Sequence, residues 1–278
     1  MLTIEDHSRD SAGLLYVYPV VSRRAGGVSI GINLNPNNAC NWACVYCQVE
    51  NLSRGGPPPI DLARLECELV GFLDSALHGD FMTRQVPMEA RRLVDIAFSG
   101  NGEPTSAAEF DKVVACVLRV LERCELKGKL PVRLITNGSL LHRENVQLGL
   151  RQLAEAGGEV WFKIDRALDN EVAEINGVPG SQFRVLKNLQ ISANIAPTWV
   201  QTCWFAMDGK SPSSASRQAY CDMLRGVAAN ICGVHLYGLA RVSQQEAAPR
   251  LSALSVKDLA AFGAQIEKET GIRVIVSP

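Results

Sequence analysis

Apolar residues along the chain follow two alternating patterns. Short β-type runs fall at VSIGINL (28–34), LVDIAFS (93–99), VRLIT (132–136), EVWFKID (159–165), TWVQTCWF (198–205), GVHLYGL (233–239) and IRVIVS (272–277). Between them lie longer segments with helical spacing, among them IDLARLECELVGFLDSAL (60–77), AEFDKVVACVLRVLERC (108–124) and RENVQLGLRQLAEAG (143–157). Such alternation implies βαβ units and a mainly parallel sheet. Seven runs fall short of the eight that close a (β/α)8 barrel. The pattern therefore predicts an α/β fold, an incomplete and partly open parallel barrel over residues 26–278. Residues 1–25 are expected to form an N-terminal extension, a cap or an added edge strand. A doubly wound open sheet fits the same alternation.

Polar residues follow the runs at their carboxyl ends. Cysteines come after the first, GNGEPT (100–105) after the second and NGS (137–139) after the third. DRALD (165–169) and MDGKSP (207–212) follow the next two. Parallel α/β folds build their ligand sites at that end of the strands, so these loops are the expected active site.

Composition narrows the class. Of 278 residues, 47% are hydrophobic and 21% charged, which predicts a substantial buried core. The net charge of −1 lacks the basic excess of a nucleic-acid-binding surface. The pairs Arg23–Arg24 and Arg91–Arg92 read as solvated faces. The start, MLTIEDHSRDSAG, has no basic-then-apolar secretory pattern, and no apolar run reaches the ~18 residues of a membrane span. A cytoplasmic protein without a membrane segment is expected. Nine cysteines in that compartment point to metal binding or catalysis where clustered, and to burial where scattered.

Three of them are clustered: Cys40, Cys44 and Cys47, in NACNWACVYCQ (38–48). Structural zinc wants a fourth ligand from a second close Cys or His pair, and none exists. A four-iron cubane is normally held by four thiolates, and three would leave one iron open. The spacing C-x3-C-x-aromatic-C, with Tyr46 as the aromatic residue, resembles the signature of the radical S-adenosylmethionine (radical SAM) superfamily. SGNGEPT resembles its Gly-Gly-Glu-Pro motif, and ITNG and KIDRALD resemble its later strand-end motifs. The resemblance implies a partial (β/α)6-type barrel and a [4Fe-4S] cluster on the three cysteines. It also implies S-adenosyl-L-methionine on the open iron, supplied with electrons by a low-potential flavodoxin- or ferredoxin-like donor.

The same resemblance assigns the rest of the cofactor pocket. It sets Tyr46 against the adenine, Gly100, Asn101, Gly102 and Glu103 near the ammonium group, and Thr136 and Asn137 near the ribose or carboxylate. Asn101 stands where the family motif has its second glycine. Glu103 is either the ammonium partner or an anchor for its loop, and Asn137 equally suits a turn. Lys163 and Asp165 lie two apart on one strand and so share a face; they are candidate catalytic residues or a bystander ion pair. Gln201, Cys203, His235, Tyr237 and Arg241 are candidate substrate contacts, with a satisfied buried imidazole as the alternative for His235. Cys203, Cys221 and Cys232 are too far apart to support a second cluster strongly.

The local texture of NACNWACVYCQ, SGNGEPT, WFKIDRALD and EINGVPGSQFRVLKNL is most similar to the group around the wyosine-forming tRNA-modifying enzymes. Those enzymes carry further cluster cysteines upstream, and this chain has none before Cys40. The expected chemistry is reductive cleavage of the cofactor to a 5′-deoxyadenosyl radical that abstracts hydrogen from a substrate, which the sequence leaves open among small molecule, protein and tRNA. An activase for a glycyl-radical enzyme and a cluster-bearing redox sensor are the alternatives.

Overall fold

The computed structural model describes residues 2, 13–22 and 26–278. Most of the expected N-terminal extension, and Arg23–Arg24, lie outside those residues. In chain order the first elements are β1 (Val17–Ser22), β2 (Gly27–Ile32), β3 (Ala39–Cys40), β4 (Ser53–Arg54), α1 (Leu62–Leu77) and α2 (Phe81–Gln85). Then come β5 (Leu93–Phe98), α3 (Phe110–Arg123), β6 (Val132–Thr136), α4 (Glu144–Glu155), β7 (Glu159–Lys163), α5 (Asp169–Asn176) and α6 (Gln182–Ile195). The last are β8 (Thr198–Cys203), β9 (Phe205–Met207), α7 (Ser214–Arg225), β10 (Gly233–Tyr237), β11 (Leu251–Ala253), α8 (Val256–Thr270) and β12 (Val274–Ser277). Each of the seven runs contains a strand of the parallel system.

The chain divides into two compact units. The first comprises residues up to Asn41, 55–135 and 143–159; the second comprises 42–54, 136–142 and 160–278. In the first, β2, β5 and β6 pair in parallel, and β1 pairs antiparallel with β2. Pro19 sits within β1, opposite Ile30; a proline, which has no N–H to donate, is tolerated in an edge strand. Helices α1 and α3 bury Leu65, Leu69, Leu73, Val113, Val117 and Val120, as β5 and β6 bury Ile96, Phe98 and Leu134. Each such side chain contributes roughly 1.5–3 kcal/mol on leaving water.

In the second unit, β7, β8, β10 and β12 are parallel neighbours, and β9 pairs antiparallel with β11. Val160, Phe162, Val200, Val234 and Leu236 are fully buried on one face. The alternate positions put Trp161 and Lys163, Trp199, Gln201 and Cys203, and His235 and Tyr237 on the other face. Helices α6, α7 and α8 start at Ser181, Ser213 and Ser255, whose hydroxyls each accept a first-turn N–H; that interaction offsets one of the unpaired helix-end donors. Among the described residues, no helix is long and apolar enough to cross a membrane.

One buried carboxylate ties α1 to the start of β1. Glu68 Oε2 accepts from the backbone N–H of Tyr16 at 2.7 Å and of Val17 at 3.3 Å. Its Oε1 accepts from Leu15 N at 3.1 Å and Arg64 Nε at 2.8 Å. Burial pushes its pKa up, but the Tyr16 amide, Arg64 and Leu15 outweigh it, and the net shift is downward. A depressed folded-state value contributes stability above the unfolded value of about 4.3, lost as pH falls through the folded one. Glu68→Gln is expected to cost about 1–3 kcal/mol near pH 7. In urea titrations, the gap to wild type should narrow as pH falls from 6 towards 3.

Candidate active site

The second unit gathers several chemistry-bearing residues around one carboxylate. Asp165 follows β7 and is 2% exposed. Its Oδ1 accepts from the Cys203 backbone N–H at 2.9 Å, and Lys163 Nζ stands 3.8 Å away. Its Oδ2 accepts from the Tyr46 hydroxyl and from Asn176 Nδ2, the latter at 2.9 Å. Lys163 donates to the Tyr237 hydroxyl at 2.8 Å and lies over the Tyr46 and Tyr237 rings, 5.0 and 5.4 Å from their centres. Lys163 and Asp165 are therefore partners, and both are built into the network that holds Tyr46.

This charge pattern decides the protonation states around it. Burial pulls the Lys163 ammonium down, but the Asp165 carboxylate and the phenol of Tyr237 more than offset it, so the amine is held protonated. Burial, then Asp165, pushes the Cys44 and Cys203 thiols up to about 12. Tyr46 and Tyr237 are raised chiefly by burial. The Arg166 guanidinium is lowered by burial, yet it donates to the carbonyls of Asp165 and Cys203 at 2.7 and 3.2 Å. Its flat face lies 4.2 Å from the Trp204 ring centre.

The loop carrying Cys44, Tyr46 and Cys47 is fixed from two sides. Ala43 N donates to Asn176 O at 3.0 Å and Val45 N to Ile175 O at 2.8 Å, using carbonyls that the end of α5 leaves without helical partners. From the other side, Ser243 Oγ donates to Val45 O at 2.7 Å and to Cys47 O at 3.1 Å. Gln245 Nε2 donates to Cys47 O at 3.2 Å and Val49 O at 2.8 Å. The Tyr46 ring meets Phe205 edge-on at 5.6 Å. Asn176 Nδ2 lies 3.3 Å from Cys44 Sγ.

Thr136 and Asn137 shape the turn after β6. Thr136 Oγ1 accepts from Gly138 N at 3.0 Å, and Asn137 Oδ1 accepts from Ser139 N and Oγ at 3.0 and 2.7 Å. Gly138 has φ of 73°, and a Cβ there would stand 2.1 Å from the Phe162 ring; both conditions require glycine. Asn137 thus serves its own turn. His235 is half-buried between Trp161 and Trp199, both 4.6 Å between ring centres, which matches the packed-imidazole alternative better than substrate contact.

The first unit holds the GNGEPT loop. Gly100 and Gly102 are explained by protein neighbours: added Cβ atoms would stand 2.3 Å from Asn33 Oδ1 and 2.1 Å from Ala39 O. Asn33 Oδ1 accepts from Asn35 N and Asn101 N at 3.1 and 3.0 Å, and Asn101 Nδ2 donates to Asn38 Oδ1 at 2.6 Å. Asn35 Nδ2 donates to Ala39 O at 2.8 Å. Glu103 is 3% exposed and accepts from Thr105 N and Oγ1 at 3.1 and 2.6 Å, which anchors its loop. Sequence patterns alone did not single out Asn33, Asn35, Asn176, Ser243 and Gln245; only the asparagine-rich NLNPNN ahead of the cysteines offered a signal.

All nine cysteines are free; Cys40, Cys44 and Cys47 are partly exposed, while Cys203 and Cys221 are buried and Cys232 exposed. Among the described residues, no set of three or more His, Cys, Asp or Glu side chains is gathered to hold a metal ion. Thiolate sulfur is the ligand type an iron–sulfur cluster takes, and Cys44 offers one beside the Asn176 amide on a loop held by its backbone.

Comparison with solved structures identifies the architecture. The chain has the fold of the radical SAM enzymes, an incomplete parallel (β/α) barrel. A structure of TYW1 with a lysine-pyruvate adduct bound matches with a TM-score of 0.61 at 13% identity, over 89% of this chain and 75% of that one. A radical SAM methyltransferase from Sphaerobacter thermophilus matches with a TM-score of 0.58 at 16% identity, over 94% and 68%. SuiB from Streptococcus suis, bound to S-adenosylmethionine, matches with a TM-score of 0.56 at 10% identity, over 91% and 47%.

No family model matches the chain. In sequence it is 30% identical over 164 residues to UPF0026 protein MJ1312 of Methanocaldococcus jannaschii, 57% of this chain and 42% of that protein. It is 28% identical over 132 residues to a protein named GTPase Obg from Brachyspira hyodysenteriae, 48% of this chain and 17% of that protein. The chain thus spans less than half the length of either. A phosphate loop needs G-x4-G-K-[ST], and Gly209–Lys210–Ser211 has Trp204 where its first glycine belongs.

Removing Asp165 leaves a buried ammonium unpaired together with three orphaned donors. Asp165→Ala is therefore expected to cost about 3–5 kcal/mol in denaturant unfolding. Adding Lys163→Met should recover part of that loss. Strict additivity of the two substitutions would mean that the pair does not interact.

Proposed function

We propose that this protein is a radical SAM enzyme, with Cys40, Cys44 and Cys47 holding a [4Fe-4S] cluster. The observation that carries the reading is the shared fold together with three free thiols within eight positions, one of them receiving an amide N–H. When bound, such a cluster would supply a low-potential electron for reductive cleavage of S-adenosyl-L-methionine to methionine and a 5′-deoxyadenosyl radical, which would abstract hydrogen from a substrate. The electron comes from a flavodoxin- or ferredoxin-like donor, and the protein works in the cytoplasm, where its cluster is oxygen-sensitive.

The chain's own residues bind and orient. Tyr46, held by Asp165, offers a ring edge against which an adenine packs. The loop of Gly100, Asn101, Gly102 and Glu103 would serve the ammonium group, and Glu103 keeps that loop in shape. Thr136 and Asn137, which shape the turn after β6, would serve the ribose or carboxylate. Lys163 acts as a fixed positive charge and hydrogen-bond donor.

The test is anaerobic reconstitution, reduction with dithionite and addition of S-adenosyl-L-methionine, with iron, sulfide and 5′-deoxyadenosine quantified together. About four irons per chain and deoxyadenosine formation are expected; zinc in place of iron would overturn the assignment. Cys44→Ala should lose the cluster. Glu103→Ala should retain iron while weakening cofactor affinity about tenfold, the equivalent of roughly 1.4 kcal/mol; unchanged affinity would leave Glu103 with its structural role alone.

A further inference from the structure

Helix α5 ends at Asn176, and Gly177 after it takes the left-handed conformation with φ of 64°. Gly177 alone satisfies the usual requirement for stopping a helix, so termination does not explain the residue before it. Asn176 is 1% exposed. Its Nδ2 carries two hydrogens, and its two partners are Cys44 Sγ at 3.3 Å and Asp165 Oδ2 at 2.9 Å. A carboxylate and a metal-bound thiolate are both acceptors only. The side-chain amide must therefore turn its nitrogen to both, and its carbonyl away from them.

The backbone repeats the attachment, because the carbonyls of Ile175 and Asn176 accept from Val45 and Ala43 on either side of Cys44. The loop is thus held by the main chain whatever the Asn176 side chain does. What remains for the amide is electrostatic, since its N–H dipole points at a ligand sulfur. Adding an electron to a cluster increases negative charge on its sulfurs, so a donor aimed there stabilises the reduced form more than the oxidised one. The Asp165 carboxylate fixes the rotamer that keeps the donor on target.

We propose that Asn176 is a positioning residue for Cys44, and that its N–H···S hydrogen bond raises the reduction potential of the cluster held through that sulfur. This rests on the cluster assignment made above. Asn176→Leu keeps the approximate volume and removes the donor; Asn176→Asp places a carboxylate there instead. The readout is the midpoint potential of the reconstituted protein without S-adenosyl-L-methionine, from a redox titration followed by electron paramagnetic resonance, with iron counted in each sample.

At the wild-type midpoint, the ratio of reduced to oxidised cluster should fall about three- to tenfold in Asn176→Leu, a tenfold change being 59 mV for one electron. Asn176→Asp should fall further. A full iron complement with an unchanged potential in Asn176→Leu overturns the inference alone. If that variant loads no iron, Asn176→Gln decides: loading with a near-wild-type potential supports the donor role, and failure to load assigns the residue to packing. A wild-type chain that takes up no iron overturns the cluster assignment and this inference with it.

Discussion

A carboxylate removed from water must be given donors, and the second unit of this protein is organised around that demand at Asp165. Its two oxygens take a backbone N–H from the end of β8, a phenol from the cysteine loop, an amide from the end of α5 and the field of an ammonium on β7. The cysteine loop and the end of β8, 119 and 38 positions from Asp165, are thereby brought to the stretch 163–176. The isolated charge would be prohibitive, and the pair with Lys163 is tolerable because nearly every polar atom in it is satisfied. Burial first, and the field of Asp165 second, push the neighbouring Cys44 and Cys203 thiols and the Tyr46 phenol upward.

Much of the architecture was legible because strands buried on one helix-covered face leave a period-two trace and their helices a 3.6-residue one. The deviations have local causes. The run TWVQTCWF reads as one strand, but it breaks at Trp204, whose ring stacks on Phe262 at 4.3 Å and covers Arg166. The run EVWFKID continues its alternation to Asp165, yet pairing ends at Lys163, where the donors around Asp165 take over. Strand β1 was foreseen only as one alternative, an added edge strand within residues 1–25, because it contains a proline and stands at an edge, where neither strong propensity nor alternation is required.

The site was legible only where chemistry demands a residue type at a fixed spacing. Three cysteines and the Lys163–Asp165 pair announce themselves. Asn176 does not, since an asparagine before a glycine is an ordinary helix-end signal, and its real partners lie 132 and 11 positions away. Gly100 and Gly102 were visible as glycines, but their need comes from Asn33 and Ala39 pressing on the backbone, which no local pattern encodes.

The strap formed by Ser243 and Gln245 reaches the cysteine loop across 196 to 198 positions. At elongation of about 5–20 residues per second, that interval is about 10–40 s of synthesis. Throughout it, the emerging loop lacks the contacts that Ser243 and Gln245 make to its backbone. Completion of this loop is in that sense ordered by translation: the segment that carries the three cysteines is made early, and the segment that clamps it arrives late.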